Sequence, residues 1–492
     1  MLIDGRGLDD GVELAADVCI VGAGAAGITL ARALRGSGLD VLVLEGGGLE
    51  EDARLQSLYE GTMVGLDSWR LDRQRVRIFG GTTHHWSGWC TPLLPEDFEA
   101  RAHIPESGWP IAYDDLAPYY VDAAELVQID AGDWDGGALA GQEGLPVLPS
   151  PLGHLDTRLY KFSPPTRFGV RYRSDLENAD DVDVVYRANL THIALAPGGG
   201  SVDRLEVRVL DGPAFTVTAG RFVLALGGIE NARMLLASSD RNPDGVSNGA
   251  GLVGRYFMEH PHLYEIPGWV APAGVDVRFY EHHFSSTLGT DVRGGVGLTR
   301  ETRSTEGLPD MVAGGVPPSS LDDPLDGVAP SMVRPLLRNA DDAGFRRFSL
   351  RAEQRPVADS RVRLGSSVDA LGIPRVELDW RVHPDDLAAY RRFADLVAAE
   401  LGAAGVGRLW LPVDDGNRAE WHISGGGHHM GTTRMGASAA DGVVDADCRS
   451  FEVDNLYLAG SSVFRTGGSA NPTLTLVALA LRLADHILEQ GS

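Results

Sequence analysis

Two adjacent histidines near the C-terminus are the first residues whose type and spacing could do chemistry. His428 and His429 lie in SGGGHHMGTTRMG, residues 424–436, between a run of glycines and a Gly-Thr-Thr turn. Two loop imidazoles could bind a metal ion, act as a catalytic base, or have no chemical role. The choice depends on what the rest of the chain binds.

A metal site would need further ligands. His84, His85, His260 and His262 are the other histidines that could converge on the pair. Adjacent histidines point in different directions in a helix or a strand, and the chain has no HxxxH pair and no supporting cysteine cluster. We therefore expect no metal.

The N-terminal stretch DVCIVGAGAAGITLARALRGSGLDVLVLE, residues 17–45, has the order of a dinucleotide-binding unit. Asp17–Val21 and Asp40–Leu44 are short apolar runs typical of buried parallel strands, and Ile28–Leu34 is amphipathic. The unit of strand, glycine loop, helix, strand and acid is complete, which is a much stronger signal than a GxGxxG alone.

Each residue of the loop has a physical reason. Gly22 allows a tight turn, Gly24 lets a pyrophosphate approach the backbone, and Gly27 lets the helix pack closely on the strand. Glu45 follows the second strand and is placed to accept hydrogen bonds from a ribose 2'-hydroxyl, and its charge would repel a 2'-phosphate. The unit predicts a dinucleotide site and leaves NAD and FAD open.

Length and charge limit the class of protein. The chain has 492 residues, of which 43% are hydrophobic, and this suits a folded protein with two large or interleaved domains. Its formal net charge of -26 makes nucleic acid an improbable partner, because binding phosphate backbones needs a basic face.

The N-terminal residues show no basic region, twin arginine or long apolar stretch before the first predicted strand, so we expect no export signal. The three cysteines give no disulfide framework and no CxxC pair. The apolar stretch LTLVALALRLADHI near the end is interrupted by Arg482 and is too short to span a membrane. We expect a cytoplasmic protein without a membrane segment.

Three further segments separate FAD from NAD. They are RIFGGTTHHWSGWCTP (Arg77–Pro92), RFVLALGGIENARMLL (Arg221–Leu236), and the stretch Asp454–Ile487, which contains a predicted strand Leu456–Ala459 and a helix beginning near ANPT. Together with the N-terminal unit they resemble the glucose-methanol-choline (GMC) family of flavin oxidoreductases over nearly the full length. THHW and GSANPTLT most resemble the branch of pyranose oxidases and bacterial glycoside 3-oxidases.

The resemblance implies an α/β fold in which a Rossmann-like FAD-binding domain, a parallel sheet with helices, is interleaved with an α+β substrate domain on an antiparallel sheet. We assign residues 1–110, 165–265 and 420–492 to the FAD domain, and 111–164 and 266–419 to the substrate domain. RRFSLRAEQ and RVRLGSS are predicted strands, and DDLAAYRRFADLVAAELGAAG is a predicted helix. Gly315–Met332 is predicted to be a long surface loop, which either covers the active site or is a disordered insertion.

The resemblance also separates the two histidines. His428 matches the catalytic base of the family pattern HxxGTxxMG, and Asn471 in GSANP matches the second catalytic position. An imidazole can take the proton of a sugar hydroxyl, and an amide can hold the same oxygen. Asn471 could equally cap the final helix. His429 and Thr432 are weaker candidates for substrate contact.

The resemblance implies a set of FAD contacts. They are Gly22, Gly24, Ala26, Gly27, Glu45, Gly80, Gly81, His85, Trp86, Ser87, Leu190, Gly227, Asn231, Gly460, Pro472 and Thr473. His85 precedes Trp86 as the flavin-linked histidine does in the fungal pyranose-oxidase motif, but SGWCTP follows here and the match is imperfect. We expect non-covalent FAD, with a covalent bond to His85 as the alternative.

The predicted function is oxidation of a secondary hydroxyl of a pyranose or glycoside to a ketone, at C3 in preference to C2. Hydride would pass to flavin N5, and dioxygen or another acceptor would reoxidise the flavin. One alternative is a sugar-acid or alcohol dehydrogenase of the same family that passes electrons to a protein or quinone, and another is a flavin-binding protein without turnover. The particular sugar, the acceptor and the oligomeric state stay open.

Overall fold

The computed structural model describes residues 1–66, 68–263, 268–270, 274–316, 345–409, 413–414, 417–418 and 423–490. The predicted loop Gly315–Met332 lies outside these residues from position 317 onward, and its first two residues end a strand. Among the described residues, no helix is both long and apolar enough to cross a bilayer.

Strands and helices are numbered here in chain order over the described residues. The strands β1 to β22 are Leu2–Asp4, Glu13–Val21, Val41–Glu45, Gly61–Gly65, Trp89–Cys90, Leu155–Phe162, Val182–Tyr186, Asn189–Leu195, Val202–Arg208, Ala214–Leu224, His262–Leu263, Gly268–Val270, His283–Ser285, Thr290–Leu298, Met311–Val316, Phe345–Ala352, Arg361–Val368, Pro374–Trp380, Arg408–Leu409, Val413–Asp414, Asn417–Arg418 and Leu456–Leu458. The helices α1 to α11 are Ala25–Leu34, Ala53–Gln56, Leu71–Gln74, Tyr113–Leu126, Gly136–Glu143, Phe168–Arg171, Arg173–Glu177, Gly227–Ala237, Arg300–Glu306, Asp386–Ala403 and Pro472–Glu489.

The first sheet carries the dinucleotide unit. Its order is β1-β7-β3-β2-β10-β9-β8, with β22 also paired to β10. The pairs from β1 to β10 and the pair β10–β22 are parallel, and β9 and β8 are antiparallel additions. The inner end of β2, Val18–Val21, is almost fully buried, as expected for a strand with helices on its faces. Helix α1 begins at Ala25, three residues before the predicted start, because the glycine loop runs directly into it.

The second sheet is antiparallel and has its own apolar core. Its order is β19-β12-β16-β15-β14-β6-β5, and β11 and β13 pair with β16 and β14. Helix α10 buries Tyr390, Phe393 and Val397 in this core. The predicted strand in RRFSLRAEQ is β16, whereas the one in RVRLGSS is β17, which belongs to a separate sheet of order β17-β18-β4. The α/β class with a mixed parallel sheet and an antiparallel sheet agrees with the sequence prediction.

The domain boundaries stay a prediction. Strand β4 falls in the segment assigned to the FAD domain, and β18 falls in the segment assigned to the substrate domain. The two strands pair in parallel over five residues. The small third sheet therefore combines chain from both predicted domains.

A buried ion cluster joins helix α8 to the third sheet. Glu230 accepts from Arg75 at 2.6 Å and from Arg233 at 3.0 Å, and Arg233 also donates to Asp369 at 2.7 Å. Burial alone would raise the pKa of Glu230, but the two guanidinium groups lower it to about 2. The carboxylate is therefore charged at neutral pH and balances two buried cations.

Replacing Glu230 by Gln should destabilise the fold by about 3–5 kcal/mol, because it leaves two buried guanidinium groups without their shared counterion. Asp211→Asn is the matched control, since the Arg54–Asp211 pair is exposed and should contribute about 1 kcal/mol or less. Denaturant unfolding of the three proteins measures the difference. Equal losses in the two variants would contradict the role given to the cluster.

Candidate active site

One cavity brings the predicted cofactor and catalytic residues together. Its volume is about 610 Å³, in the usual range for ligand sites. It extends from the glycine loop after β2 to the loop of His428 and the first turn of α11.

The glycine loop has the geometry that a nucleotide needs. Gly22 has a φ of +107°, and a Cβ on Gly27 would lie 1.8 Å from the Gly22 carbonyl oxygen. A Cβ on Gly24 would meet no atom within 4 Å, so the backbone is open toward the cavity at this point. The N-terminus of the ten-residue helix α1 follows directly and favours a phosphate charge.

Glu45 closes the same end of the cavity. Its side chain is buried, and its two oxygens accept from the backbone N–H groups of Ala23, at 2.8 Å, and Gly47, at 2.6 Å. Burial raises the pKa of this carboxyl above its ordinary value. Glu45 thus fixes the glycine loop against the end of β3 and lines the cavity where a ribose hydroxyl would lie.

The catalytic end is organised by a contact between two histidines. His260 Nε2 lies 2.9 Å from the Gly468 carbonyl oxygen, and its Nδ1 lies 2.8 Å from Nδ1 of His428. A carbonyl can only accept, so neutral His260 carries its proton on Nε2 and accepts at Nδ1. His428 must then donate from Nδ1, which leaves a lone pair on its Nε2.

The partner of that lone pair is Asn471. Its Nδ2 lies 3.1 Å from His428 Nε2, and its Oδ1 lies 2.5 Å from Nη1 of Arg351. A guanidinium can only donate, so the oxygen of the amide must face Arg351 and its NH₂ must face His428. Asn471 is the N-cap residue of α11, but its side chain makes no capping hydrogen bond. The side chain lines the cavity instead.

Both histidines are held neutral. Burial lowers the pKa of His260 to about 4, and burial together with the neighbouring histidines lowers the pKa of His428 well below its ordinary value. At neutral pH the Nε2 lone pair of His428 is therefore available without a preceding deprotonation. The arrangement can accept a proton from a hydroxyl bound beside Asn471.

Glu259 holds the glycine-rich loop that carries His428. Its Oε2 accepts from the backbone N–H groups of Gly426, at 3.1 Å, and His428, at 2.8 Å. Burial raises the pKa of Glu259 to about 7. The carboxyl group gives a loop without regular structure a fixed conformation.

The weaker candidates occupy different places. His429 lines the cavity, and its Nε2 lies 2.6 Å from Oε1 of Gln74, so its ring supports the wall. Thr432 is fully buried, donates to the Gly228 carbonyl and does not line the cavity.

Most of the predicted FAD contacts line the cavity. These are Gly22, Gly24, Ala26, Glu45, Gly81, His85, Trp86, Ser87, Gly227, Gly460, Pro472 and Thr473. Gly27, Gly80, Leu190 and Asn231 lie behind its wall. The Asn231 amide, for example, bonds the Leu226 N–H and the Ala459 carbonyl and so joins α8 to the end of β22.

Several lining or supporting residues escaped the sequence analysis. His260 was considered only as a metal ligand, and Glu259, Gln74 and Arg351 were not considered. A signal existed for the first two, because Glu and His stand together in the otherwise apolar run YFMEHPH. Arg351 and Gln74 carry no local pattern that points to the cavity.

The described residues contain no group of three His, Cys, Asp or Glu side chains that could hold a metal ion. The 2.8 Å contact between the Nδ1 atoms of His260 and His428 leaves no room for an ion between them.

The residues present fit FAD. An open glycine loop at a helix N-terminus and a buried acid lie at one end of the cavity, and an imidazole and amide pair lies at the other. A parallel sheet with this loop defines the class of dinucleotide-binding folds.

Comparison with known proteins gives the family. Residues 356–480 match the family model of the GMC oxidoreductases. The fructose dehydrogenase large subunit of Gluconobacter japonicus is 24% identical over 96% of this chain and 98% of its own length. A C-glycoside 3-oxidase of Microbacterium trichothecenolyticum is 35% identical over 27% of this chain and 25% of its own length. The formate oxidase of Aspergillus oryzae, in a structure that concerns FAD modification, has a TM-score of 0.59 at 16% identity and covers 98% of this chain and 99% of that one.

Residues 356–480 therefore match the GMC oxidoreductases, and similarity to a sugar dehydrogenase extends over nearly the whole chain. The predictions of the family, of an oxidoreductase and of FAD as its cofactor are confirmed by these comparisons at the level of the family.

The hydrogen-bond chain predicts the tautomer of His428. In protein with nitrogen-15 histidine, the His428 proton should lie on Nδ1, and the ring should stay neutral as the pH falls below about 6.5, the ordinary histidine pKa. His428→Asn identifies the signal by its loss, and His260→Leu, which removes the acceptor, should give a mixture of tautomers. A His428 ring that is protonated on Nε2, or that titrates near pH 6.5, would contradict the arrangement.

Proposed function

We propose that the protein oxidises a secondary hydroxyl of a pyranose sugar or glycoside to a ketone, at C3 in preference to C2. The observation that carries this proposal is the His428 Nε2 lone pair facing the Asn471 amide at 3.1 Å, in the cavity that begins at the glycine loop. The match to a C-glycoside 3-oxidase supports C3.

His428 and Asn471 have different roles in the proposed reaction. The substrate hydroxyl lies beside His428 and Asn471, and Asn471 Nδ2 donates to its oxygen and fixes the direction of the carbon–hydrogen bond. His428 Nε2 takes the hydroxyl proton as the carbonyl forms, which avoids a free alkoxide. FAD, when bound, accepts the hydrogen that leaves the carbon together with its electron pair.

The geometry of His85 supports non-covalent FAD. Its Nε2 lies 3.2 Å from the Gln74 carbonyl oxygen, which can only accept, so this nitrogen carries a proton. A nitrogen that donates in this way has no lone pair, so the contact disfavours a bond to the flavin through Nε2, and the lone pair of the neutral ring lies on Nδ1. Acid-denatured protein that kept its yellow colour in the pellet would contradict this proposal.

Two acceptors for the reduced cofactor are consistent with the family. We favour dioxygen, which yields hydrogen peroxide, because one relative is a C-glycoside 3-oxidase. Transfer to a protein or quinone acceptor is the alternative, since one full-length relative is a dehydrogenase subunit. The cytoplasmic location stays a prediction.

Replacing His428 by Ala should leave the bound flavin spectrum unchanged and slow flavin reduction by substrate about 10²- to 10⁴-fold, the usual contribution of a general base. Asn471→Ala should cost about 10²-fold through lost positioning. His429→Ala is the matched control and should cost less than about tenfold, since it loses one hydrogen bond to Gln74. Anaerobic stopped-flow reduction measures all three, and full-rate reduction in His428→Ala would overturn the assignment of the base.

Anaerobic titration with a panel of pyranoses and glycosides should bleach the flavin, and the product should be a ketone at C3 by NMR. The same panel in air should give one peroxide per ketone. Bleaching without peroxide would favour the dehydrogenase alternative. No bleaching by any sugar or alcohol would favour a flavin-binding protein without turnover.

A further inference from the structure

Arg351 is a cation in the wall of the cavity beside the catalytic pair. It lies near the end of β16 and is half-buried, and its guanidinium carbon is 4.4 Å from the ring centre of Trp89 and 5.2 Å from that of Tyr160. Its one hydrogen bond within the described chain is the 2.5 Å contact from Nη1 to the Asn471 amide oxygen. No other donor of its guanidinium fork has a partner among the described residues.

Other buried arginines of this chain are paired with carboxylates. Arg101 pairs with Glu353 at 2.6 Å, Arg233 with Asp369 at 2.7 Å, and Arg355 with Asp386 at 2.6 Å. In the residues that the structure describes, Arg351 forms no ion pair. A guanidinium removed from water without a counterion costs free energy that a bound anion would offset.

The same wall carries a second positive charge. The guanidinium carbon of Arg293 lies 5.3 Å from the ring centre of Trp89, so the two arginines flank one indole. Burial and the charge of Arg351 lower the pKa of Arg293 to about 10. Two cationic side chains therefore lie on this wall of the cavity.

The acid that lines the described part of the cavity lies at the other end from Arg351. Among the described lining residues, Glu45 is the one acid, and it lies beside the glycine loop. The catalytic end presents Arg351, Arg293, aromatic rings and neutral imidazoles. Guanidinium forks bind carboxylate and phosphate oxygens in a bidentate manner.

We propose that the substrate carries an oxyanion, a sugar carboxylate or a sugar phosphate ester, which Arg351 binds while the reacting hydroxyl of the substrate lies beside His428 and Asn471. The inference rests on the proposed function and names the class of its substrate. The Asn471 amide alone separates the guanidinium from the His428 imidazole, with hydrogen bonds of 2.5 and 3.1 Å. One sugar ring can therefore reach both groups.

Three matched probes test this class: methyl glucoside, glucuronic acid and glucose 6-phosphate. Calorimetric binding to the oxidised holoenzyme gives a readout that does not depend on turnover, and anaerobic flavin reduction gives a second one. At least one anionic probe should bind about tenfold or more tightly than methyl glucoside, a preference that added salt weakens. Comparison of the two anions tells whether carboxylate or phosphate is the preferred source.

Variants separate charge from positioning. Arg351→Gln keeps a donor for the Asn471 oxygen but removes the charge, so it should lose about tenfold or more in affinity for the anionic probe and little for methyl glucoside. Arg351→Lys should recover part of the loss. Arg54→Gln, at an exposed position with 71% of its side chain accessible, should leave all three affinities unchanged.

Each outcome decides between the two proposals. Equal affinity for neutral and anionic probes, or an equal loss for all three in Arg351→Gln, would overturn the anion site and leave Arg351 only as the group that orients Asn471. Tight anion binding without flavin reduction by any probe would support the site and count against the proposed oxidation. Reduction by methyl glucoside alone would support the oxidation and overturn the anionic substrate class.

Discussion

The active site depends on the direction of one hydrogen-bond chain. The chain begins at Arg351, which can only donate, and ends at the carbonyl of Gly468, which can only accept. Asn471, His428 and His260 lie between these ends, and each has two possible arrangements in isolation. The fixed ends leave one consistent choice, with an amide NH₂ and an imidazole lone pair facing each other. A position in the cavity would not by itself let His428 act as a base at Nε2. The proton of the neutral ring must also lie on Nδ1.

The loops that carry this chain are held from outside the cavity. Glu259 accepts two backbone N–H groups of the His428 loop. Asp310, the residue before β15, accepts from both the backbone N–H and the hydroxyl of Ser469, two residues before Asn471. Since β15 pairs with β16, the same sheet fixes Ser469 and Arg351 relative to each other. The antiparallel sheet therefore positions the residues that orient the Asn471 amide, and the parallel sheet positions the glycine loop.

The sequence predicted the parts of the site that are encoded locally. The glycine loop and Glu45 follow from spacing within thirty residues, and His428 and Asn471 were assigned by resemblance of short motifs. His260, Arg351 and Gln74 were missed because their contacts join residues 168, 120 and 355 positions apart. The role of the Asn471 side chain was also not predictable. The same sequence is compatible with a helix cap and with a side chain that faces the cavity, and only the partners brought close by the fold distinguish the two. The class of fold was predictable from periodicity and motifs, but the pairing of β4 with β18 was not, because it joins distant segments.

The net charge of the protein bears on macromolecular partners, whereas the charges inside the cavity bear on the substrate. The formal charge of -26 belongs mainly to exposed side chains, which are screened by water and salt, and it argues against nucleic acid. Within the cavity the dielectric is lower and few charges are present, so each one has a larger effect. Arg351 and Arg293 line the cavity itself, so their charges act at shorter range there than those of the surface acids. A strongly acidic protein can therefore select an anionic substrate, provided that the acids lie outside and the unpaired guanidinium lies inside.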